Sequence, residues 1–184
     1  MSSTGRKRAV FLDRDGVLNN AVIRNGKPYP PAGLNEVHIM PGVREGLAAL
    51  KDAGFLLIVV TNQPDVARGR VTLASVEEIN SHLKEELPLD DFKTCYHDNA
   101  DNCDCRKPKP GLLFSTAEEH HIDLAESFMI GDRWSDVEAG RRAGCRTIFI
   151  DSGYTEQAPE APDYEASNFT RAVEFILQSG QQES

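Results

Sequence analysis

The sequence predicts a three-layer α/β fold of Rossmann-like type, in which helices cover both faces of a central parallel sheet. Two observations predict it: apolar, β-rich runs alternate with amphipathic segments, and the clearest of these runs is continuously hydrophobic. Such runs are typical of strands buried on both faces, and alternating helices supply the crossovers that parallel strands need. The length suits one domain, so we expect a single domain over residues 1–184 with an ordered core at 7–178.

The individual elements follow from apolar spacing and from the residues that begin and end helices. The first helix is bounded by Pro41 and Gly54, and its Val43 and Leu47 lie at helical spacing. The run FLLIVV at 55–60 is the clearest buried strand. The predicted strands are 8–12, 55–60, 92–96, 127–132 and 146–150, and the predicted helices are 41–54, 72–87, 110–121, 135–144 and 170–178.

The segment 19–40 does not fit this alternation. It is rich in Pro, Gly and Asn and is too long for a simple connection in a compact fold. We therefore expect it to be a functional loop.

Composition and charge exclude several classes of protein. Lys and Arg total 20 against 29 Asp and Glu, a formal net charge of −9. A duplex-binding module normally carries a basic stripe, and only the short CRKPKPG approaches one, so we expect no nucleic-acid partner. No apolar run approaches bilayer length, and MSSTGRKRAV lacks an apolar signal core. We expect a cytoplasmic protein without membrane contact, and a monomer by default.

Chemically distinctive residues follow the predicted strands, at the edge where open parallel sheets bind ligands. DRDG directly follows the first strand, and GDRWSD ends the fourth. Taken singly, DRDG could be a solvated turn and GDRWSD a helix cap. The residues that follow the first four strands are Asp13 and Asp15, then Thr61 and Asn62, then Arg106 and Lys107, then Asp132 and Asp136.

The carboxylates at this edge predict a Mg²⁺ site. Asp13, Asp15 and Asp132 would converge there, and like charges in a partly buried site need a compensating cation. Mg²⁺ suits carboxylate oxygens, keeps several waters and bridges to substrate phosphate. Lys107 could be an ordinary surface lysine, but a fixed ammonium here could neutralise a phosphoryl group in the transition state.

A second metal site is predicted in the region 93–108. Three thiols and one imidazole occur within eleven residues of a polar loop, a set typical of closed, structural Zn²⁺ sites. A chance cluster and disulfides are alternatives, which the polar loop and a reducing compartment disfavour. The fourth cysteine, Cys145, is expected to be a small core residue. The predicted zinc ligands are Cys95, His97, Cys103 and Cys105.

The motifs D-x-D-G, T-N-Q, R-K-P and G-D-x-x-x-D occur in the order found in the haloacid dehalogenase (HAD) superfamily of phosphatases, which the chain resembles from about Ala9 to Ile150. The resemblance implies that Asp13 is the nucleophile, forming an aspartyl-phosphate, and that Asp15 is the general acid and then the base. It implies that Thr61 and Lys107 hold the phosphoryl group. The implied Mg²⁺ ligands are Asp13, the main-chain carbonyl of Asp15 and Asp132, with Asp136 as a supporting partner or a ligand through water.

FLDRDGVLN, VVTNQ…ARG and CDCRKPKPG resemble a narrower group, the D-glycero-D-manno-heptose 1,7-bisphosphate 7-phosphatases and the related histidinol-phosphate phosphatases. This resemblance implies that a zinc-stapled loop replaces a large cap domain and that Asn19, Asn62 and Arg106 contact substrate. The implied activity is Mg²⁺-dependent hydrolysis of the heptose C7 phosphate, in the carbohydrate metabolism of lipopolysaccharide heptose. Histidinol phosphate is the alternative substrate, and a non-enzymatic zinc-containing binding module is the alternative from another class.

Overall fold

The computed structural model describes residues 5–180 and contains a six-stranded sheet in the order β5-β4-β1-β6-β7-β8. Every neighbouring pair in this sheet is parallel. The predicted α/β class with a central parallel sheet is therefore confirmed. The strands are β1 Ala9–Leu12, β4 Leu56–Asn62, β5 Asp91–Cys95, β6 Phe128–Gly131, β7 Arg146–Ile150 and β8 Tyr164–Ala166, and a separate antiparallel hairpin pairs β2 Val22–Arg24 with β3 Lys27–Tyr29.

Within residues 5–180, five α-helices form the two outer layers. Alternate residues of β1 point to opposite faces: Val10 and Leu12 join one buried cluster, while Ala9 and Phe11 join the other. The first cluster takes the apolar faces of α1, α2 and α5, and the second takes those of α3 and α4. The helices are α1 Val43–Asp52, α2 Leu73–Glu86, α3 Gly111–His120, α4 Trp134–Ala143 and α5 Phe169–Ser179.

Every predicted strand and helix is present, with ends that differ by a few residues. Two features were not predicted. Strand β8 has only three residues, too few for a periodic pattern, and it extends the sheet beyond β7. The hairpin lies inside the predicted loop 19–40, where Asn25 and Gly26 turn the chain with φ values of 52° and 74°.

The described chain has no large cap domain. Between residues 5 and 180 the sheets are the six-stranded one and the β2–β3 hairpin, so the hairpin is the additional β structure on the β1–α1 connection. Among these residues, no helix is long and apolar enough to cross a membrane.

Candidate active site

A cavity of about 460 Å³ opens at the carboxyl edge of the sheet. Its floor is formed by residues that follow β1, β4 and β6, and the hairpin contributes Lys27 and Tyr29 to its rim. The predicted residues that line it are Asp13, Asp15, Thr61, Asn62, Arg106, Lys107 and Asp136.

Asp13, Lys107 and Asp136 form the buried centre of this site. Asp13 extends β1, because its amide donates to the carbonyl of Ile130 at 3.0 Å. The Lys107 Nζ lies 2.8 Å from Asp13 Oδ1 and 2.7 Å from Asp136 Oδ1, and it donates to the Val60 carbonyl at 2.7 Å. The lysine is 3% exposed, so these contacts are made away from solvent. The interpretation of Lys107 as a surface lysine is therefore excluded.

Negative charge is in excess at this centre. Burial raises the pKa of the Asp13 carboxyl to about 6, with Asp136 adding to the rise and Lys107 opposing it. Burial likewise raises the pKa of Asp132 well above its usual value, and Asp13 and Asp136 add to that. Burial alone would lower the pKa of the Lys107 ammonium, but Asp13 and Asp136 outweigh it and raise the pKa. A second cation would relieve the remaining repulsion.

The donor set fits a divalent cation. Asp13, Asp132 and Asp136 each offer a carboxylate oxygen within 4.8 Å of the others. Asp132 Oδ1 is buried and has no hydrogen-bond partner among residues 5–180, which is costly unless something binds it. Its other oxygen, Oδ2, accepts a hydrogen bond of 2.5 Å from the hydroxyl of Tyr154.

Asp136 has both carboxylate oxygens engaged within the protein. Oδ1 pairs with Lys107, and Oδ2 accepts from the amide of Arg133 at 3.0 Å, at the start of α4. A carboxylate that is held on both sides suits a supporting partner more than a direct metal ligand.

Asp15 is held by three donors. The buried Arg14 donates twice, at 3.1 Å each, and the side-chain amides of Asn19 and Gln63 donate at 3.0 and 2.7 Å. Arg14 is itself anchored to Asn80 of α2 at 2.8 Å. The carboxylate of Asp15 therefore has a defined orientation at the cavity wall.

The polar residues of β4 have different surroundings. Thr61 is buried, and its hydroxyl accepts from the Gln63 amide at 3.0 Å. The side chain of Asn62 exchanges two hydrogen bonds with the backbone of Lys107, at 3.0 and 3.1 Å. Asn62 thus ties β4 to the segment that presents the lysine.

Two of the predicted substrate residues lie in contrasting places. Asn19 is fully buried, and its amide is turned to Asp15 and the Asn20 carbonyl. Arg106 lines the cavity, and its Nε donates to Asn99 at 2.8 Å.

The four predicted zinc ligands converge after β5. Their donor atoms all lie within 4.8 Å of one another, and the sulfur–sulfur distances are 3.0 to 3.7 Å. Zn–S bonds of about 2.3 Å in a tetrahedron place sulfur atoms roughly 3.8 Å apart, so the set suits one ion. Burial works to raise the pKa of Cys103, but hydrogen bonds from Cys105 and neighbouring groups lower it to about 7. All four cysteines are free thiols, and Cys145 is buried elsewhere in the core.

Several residues of the site were missed in the sequence. Arg14 and Gln63 lie within quoted motifs, but nothing in their spacing indicates that they hold Asp15. Tyr154 follows β7 and belongs to no motif. Lys27 and Tyr29 reach the cavity only because the Asn25–Gly26 turn folds the hairpin.

Known proteins match most of this chain. The HAD-hydrolase-like family model matches residues 104–172. That match, the parallel sheet and the acidic centre at its carboxyl edge define a hydrolase of the HAD superfamily.

The chain is 39% identical over 142 residues to the D-glycero-β-D-manno-heptose-1,7-bisphosphate 7-phosphatase of Helicobacter pylori, an alignment that covers 74% of this chain and 79% of that protein. It is 34% identical over 171 residues to the Escherichia coli K12 protein of the same name, covering 85% and 86%. The crystal structure of D,D-heptose 1,7-bisphosphate phosphatase from B. bronchiseptica, complexed with magnesium and phosphate, superimposes with a TM-score of 0.81 at 27% identity, covering 94% of this chain and 99% of that one. The chain belongs to the D-glycero-D-manno-heptose-1,7-bisphosphate 7-phosphatase family.

Proposed function

We propose that this protein is a Mg²⁺-dependent phosphatase that removes the C7 phosphate of D-glycero-D-manno-heptose 1,7-bisphosphate. The observation that carries the proposal is the buried centre, where Lys107 fixes Asp13 and where Asp132 keeps an unpartnered oxygen. The family's name supplies the substrate. We propose that the protein acts as a cytoplasmic monomer.

Asp13 is the nucleophile. A carboxylate oxygen attacks phosphorus, the bond to the C7 oxygen breaks, and an aspartyl-phosphate forms. Water then attacks the phosphorus of this intermediate, which releases inorganic phosphate and restores the carboxylate. The Thr61 hydroxyl holds a phosphoryl oxygen. Lys107, whose N–H groups already contact Asp13, Asp136 and the Val60 carbonyl, holds the phosphoryl group through its charge and offsets the charge that develops on the oxygens.

Asp15 moves the protons. In the first step its carboxyl gives a proton to the leaving C7 oxygen, and in the second it takes a proton from the attacking water. The donors Arg14, Asn19 and Gln63 hold it at the cavity wall, so we propose that Asn19 acts through Asp15.

Asp13, the Asp15 carbonyl and Asp132 would hold Mg²⁺, with Asp136 in support. When bound, the ion would neutralise charge on the phosphoryl group. A structural Zn²⁺ held by the Cys/His set would keep the segment that carries Arg106 and Lys107 in place.

The rim of the cavity suits a substrate with a second anionic group. Lys27, Arg68, Arg106 and Arg133 all line it. Arg106 is partly engaged by the neutral Asn99, whereas Arg68 pairs with Asp98 and Arg133 pairs with Glu156. Arg106 and Lys27 are therefore the cations best placed for a second phosphate, with Asn62 bordering the same cavity.

The test is phosphate release with Mg²⁺ from both anomers of the heptose 1,7-bisphosphate, from histidinol phosphate and from common sugar phosphates. We expect the highest kcat/KM for one heptose anomer, and no turnover by Asp13→Asn at a preserved fold. A preference for histidinol phosphate would overturn the substrate assignment but would leave the proposed mechanism intact. Turnover by Asp13→Asn at the wild-type rate would overturn the mechanism.

A further inference from the structure

Tyr154 lies in the connection between β7 and β8, and its hydroxyl donates to Asp132 Oδ2 at 2.5 Å. We propose that Tyr154 is a positioning residue for the metal site: it holds one oxygen of Asp132 so that the other, Oδ1, stays turned towards the cation. This inference rests on the proposed Mg²⁺ dependence.

Asp132 needs such a partner because its neighbours repel it. Its carboxylate is 2% exposed and shares the centre with Asp13 and Asp136. The ion pairs of Lys107 at the centre are made with those two acids. A hydroxyl that donates to Oδ2 compensates part of the buried charge and limits rotation of the carboxylate.

The chain that follows Tyr154 is anchored to the rest of the fold. The amide of Thr155 donates to the Gly26 carbonyl of the hairpin at 2.8 Å, and Glu156 pairs with Arg133 at 3.0 Å. On the preceding side, the Gly153 amide donates to the Asp151 side chain at 2.9 Å, a turn bond within the same connection. The phenol is therefore presented to Asp132 from a backbone that is held next to it.

The space for this hydrogen bond depends on Gly16. A Cβ at that position would lie 1.8 Å from Asp132 Oδ2 and 2.7 Å from the Tyr154 oxygen. The hydrogen bond from Tyr154 to Asp132 therefore lies against the D-x-D-G turn. Its loss would let the Asp132 carboxylate rotate at the metal centre.

The experiment uses Mn²⁺ as the probe. Free Mn²⁺ is measured by electron paramagnetic resonance while it is titrated into zinc-loaded wild type and Tyr154→Phe, with Mg²⁺ competition giving the Mg²⁺ constant. We expect the dissociation constant to rise about tenfold in Tyr154→Phe, as for other groups that support a metal ligand. At saturating Mg²⁺ we expect kcat to change much less than the dissociation constant. A general packing defect would instead lower kcat and leave the affinity for the metal ion unchanged.

A matched control frames the result. Tyr164→Phe removes a hydroxyl from a ring that stacks on Phe175, 4.3 Å away between centroids, and should bind Mn²⁺ like wild type. A Mn²⁺ dissociation constant within twofold of wild type in Tyr154→Phe would overturn the inference.

A reference variant separates this inference from the proposed function. Asp132→Asn should lose the site, and unchanged Mn²⁺ binding in that variant would overturn the positioning role together with the metal assignment. If wild type binds Mn²⁺ and Tyr154→Phe weakens it, the inference is supported even where the heptose bisphosphate is not the substrate.

Discussion

At the scale of single residues, Lys107 uses all the donors of its ammonium. Its three N–H groups meet Asp13, Asp136 and the Val60 carbonyl. A lysine in this position is both a structural counter-ion and a fixed positive charge next to the nucleophile. Stability and turnover should therefore depend on it together.

Lys107→Ala is expected to lower turnover by about 100- to 1,000-fold, because charge on the phosphoryl oxygens is no longer offset. It should also destabilise the metal-free protein by about 3–5 kcal/mol, since buried acids lose their partner. Phosphate release and urea unfolding measure the two effects. The matched control is Lys109→Ala, whose ammonium contacts Asn102 and the Cys103 carbonyl instead, and a Lys107→Ala rate equal to that of the control would contradict the role of Lys107.

Gly16 and Gly54 allow a controlled test of close approach. Both have left-handed backbone, with φ of 90° and 86°, so either alanine variant should cost about 1–2 kcal/mol of backbone strain. At Gly16 the added Cβ would also strike Asp132, whereas at Gly54 no atom of the part of the chain that the structure describes lies within 4 Å. We expect Gly16→Ala to lose about 100-fold or more in turnover and Gly54→Ala to keep the wild-type rate, as measured by phosphate release. Similar rates in the two variants would show that Asp132 tolerates the intrusion.

At the scale of elements, the zinc loop and β4 together place Lys107. The loop leaves β5 at Cys95 and returns through Cys105 to the lysine, whose backbone then pairs with the Asn62 side chain. The loop therefore has two anchors, the proposed ion on one side and a strand on the other.

Cys103→Ser should lower zinc content and turnover together, even in excess Mg²⁺, because the loop no longer holds the Lys107 segment. Cys145→Ala is the matched control, since this buried thiol lies in the α3–α4 core and not in the cluster. Zinc is measured by mass spectrometry of the purified protein, and activity by phosphate release. Full turnover by zinc-free Cys103→Ser would mean that the Asn62 hydrogen bonds alone hold the Lys107 segment in place.

Elements with a regular pattern of hydrophobic residues could be predicted from the sequence. Elements whose conformation depends on contacts distant in sequence could not. The run FLLIVV is recognisable as a buried strand because its hydrophobicity is local information. The hairpin is not predicted from the sequence, although Asn25–Gly26 is a hairpin signal, because its strands are only three residues long and show no periodic pattern. The fully buried Arg14 contradicts the usual surface position of arginine, and only its contacts with Asp15 and Asn80 explain it.

At the scale of the whole molecule, the same acids that bind a cation oppose folding without it. The parallel sheet brings Asp13, which follows β1, together with Asp132 and Asp136, which follow β6, in one buried cluster where Lys107 pairs with Asp13 and Asp136. The sequence predicts that Asp13 and Asp132 lie close together, because the ends of parallel strands share an edge, but it groups them with Asp15 where the structure groups them with Asp136. The sequence could not predict the size of this repulsion, which depends on how deeply each carboxylate is buried.

The repulsion makes the stability of Mg²⁺-free protein depend on pH. Asp13 has a pKa of about 6 in the folded protein against 3.8 ordinarily, so between these values the folded state holds more protons than the unfolded state. Stability therefore falls as pH rises through this window, by an amount on the order of 3 kcal/mol from Asp13, and stays reduced above pH 6.

Asp13→Asn removes this titration, although the asparagine oxygen can still accept from Lys107. We expect the inactive variant to gain stability relative to wild type as pH rises from about 4 to 6, and to keep that advantage at pH 7.5. Urea unfolding of Mg²⁺-free, zinc-loaded protein at several pH values measures the difference. Adding Mg²⁺ at pH 7.5 should stabilise wild type more than the variant, because the ion binds the folded acids. A difference between the two proteins that stays constant from pH 4 to pH 7.5 would show that Asp13 is not the group whose charge opposes folding.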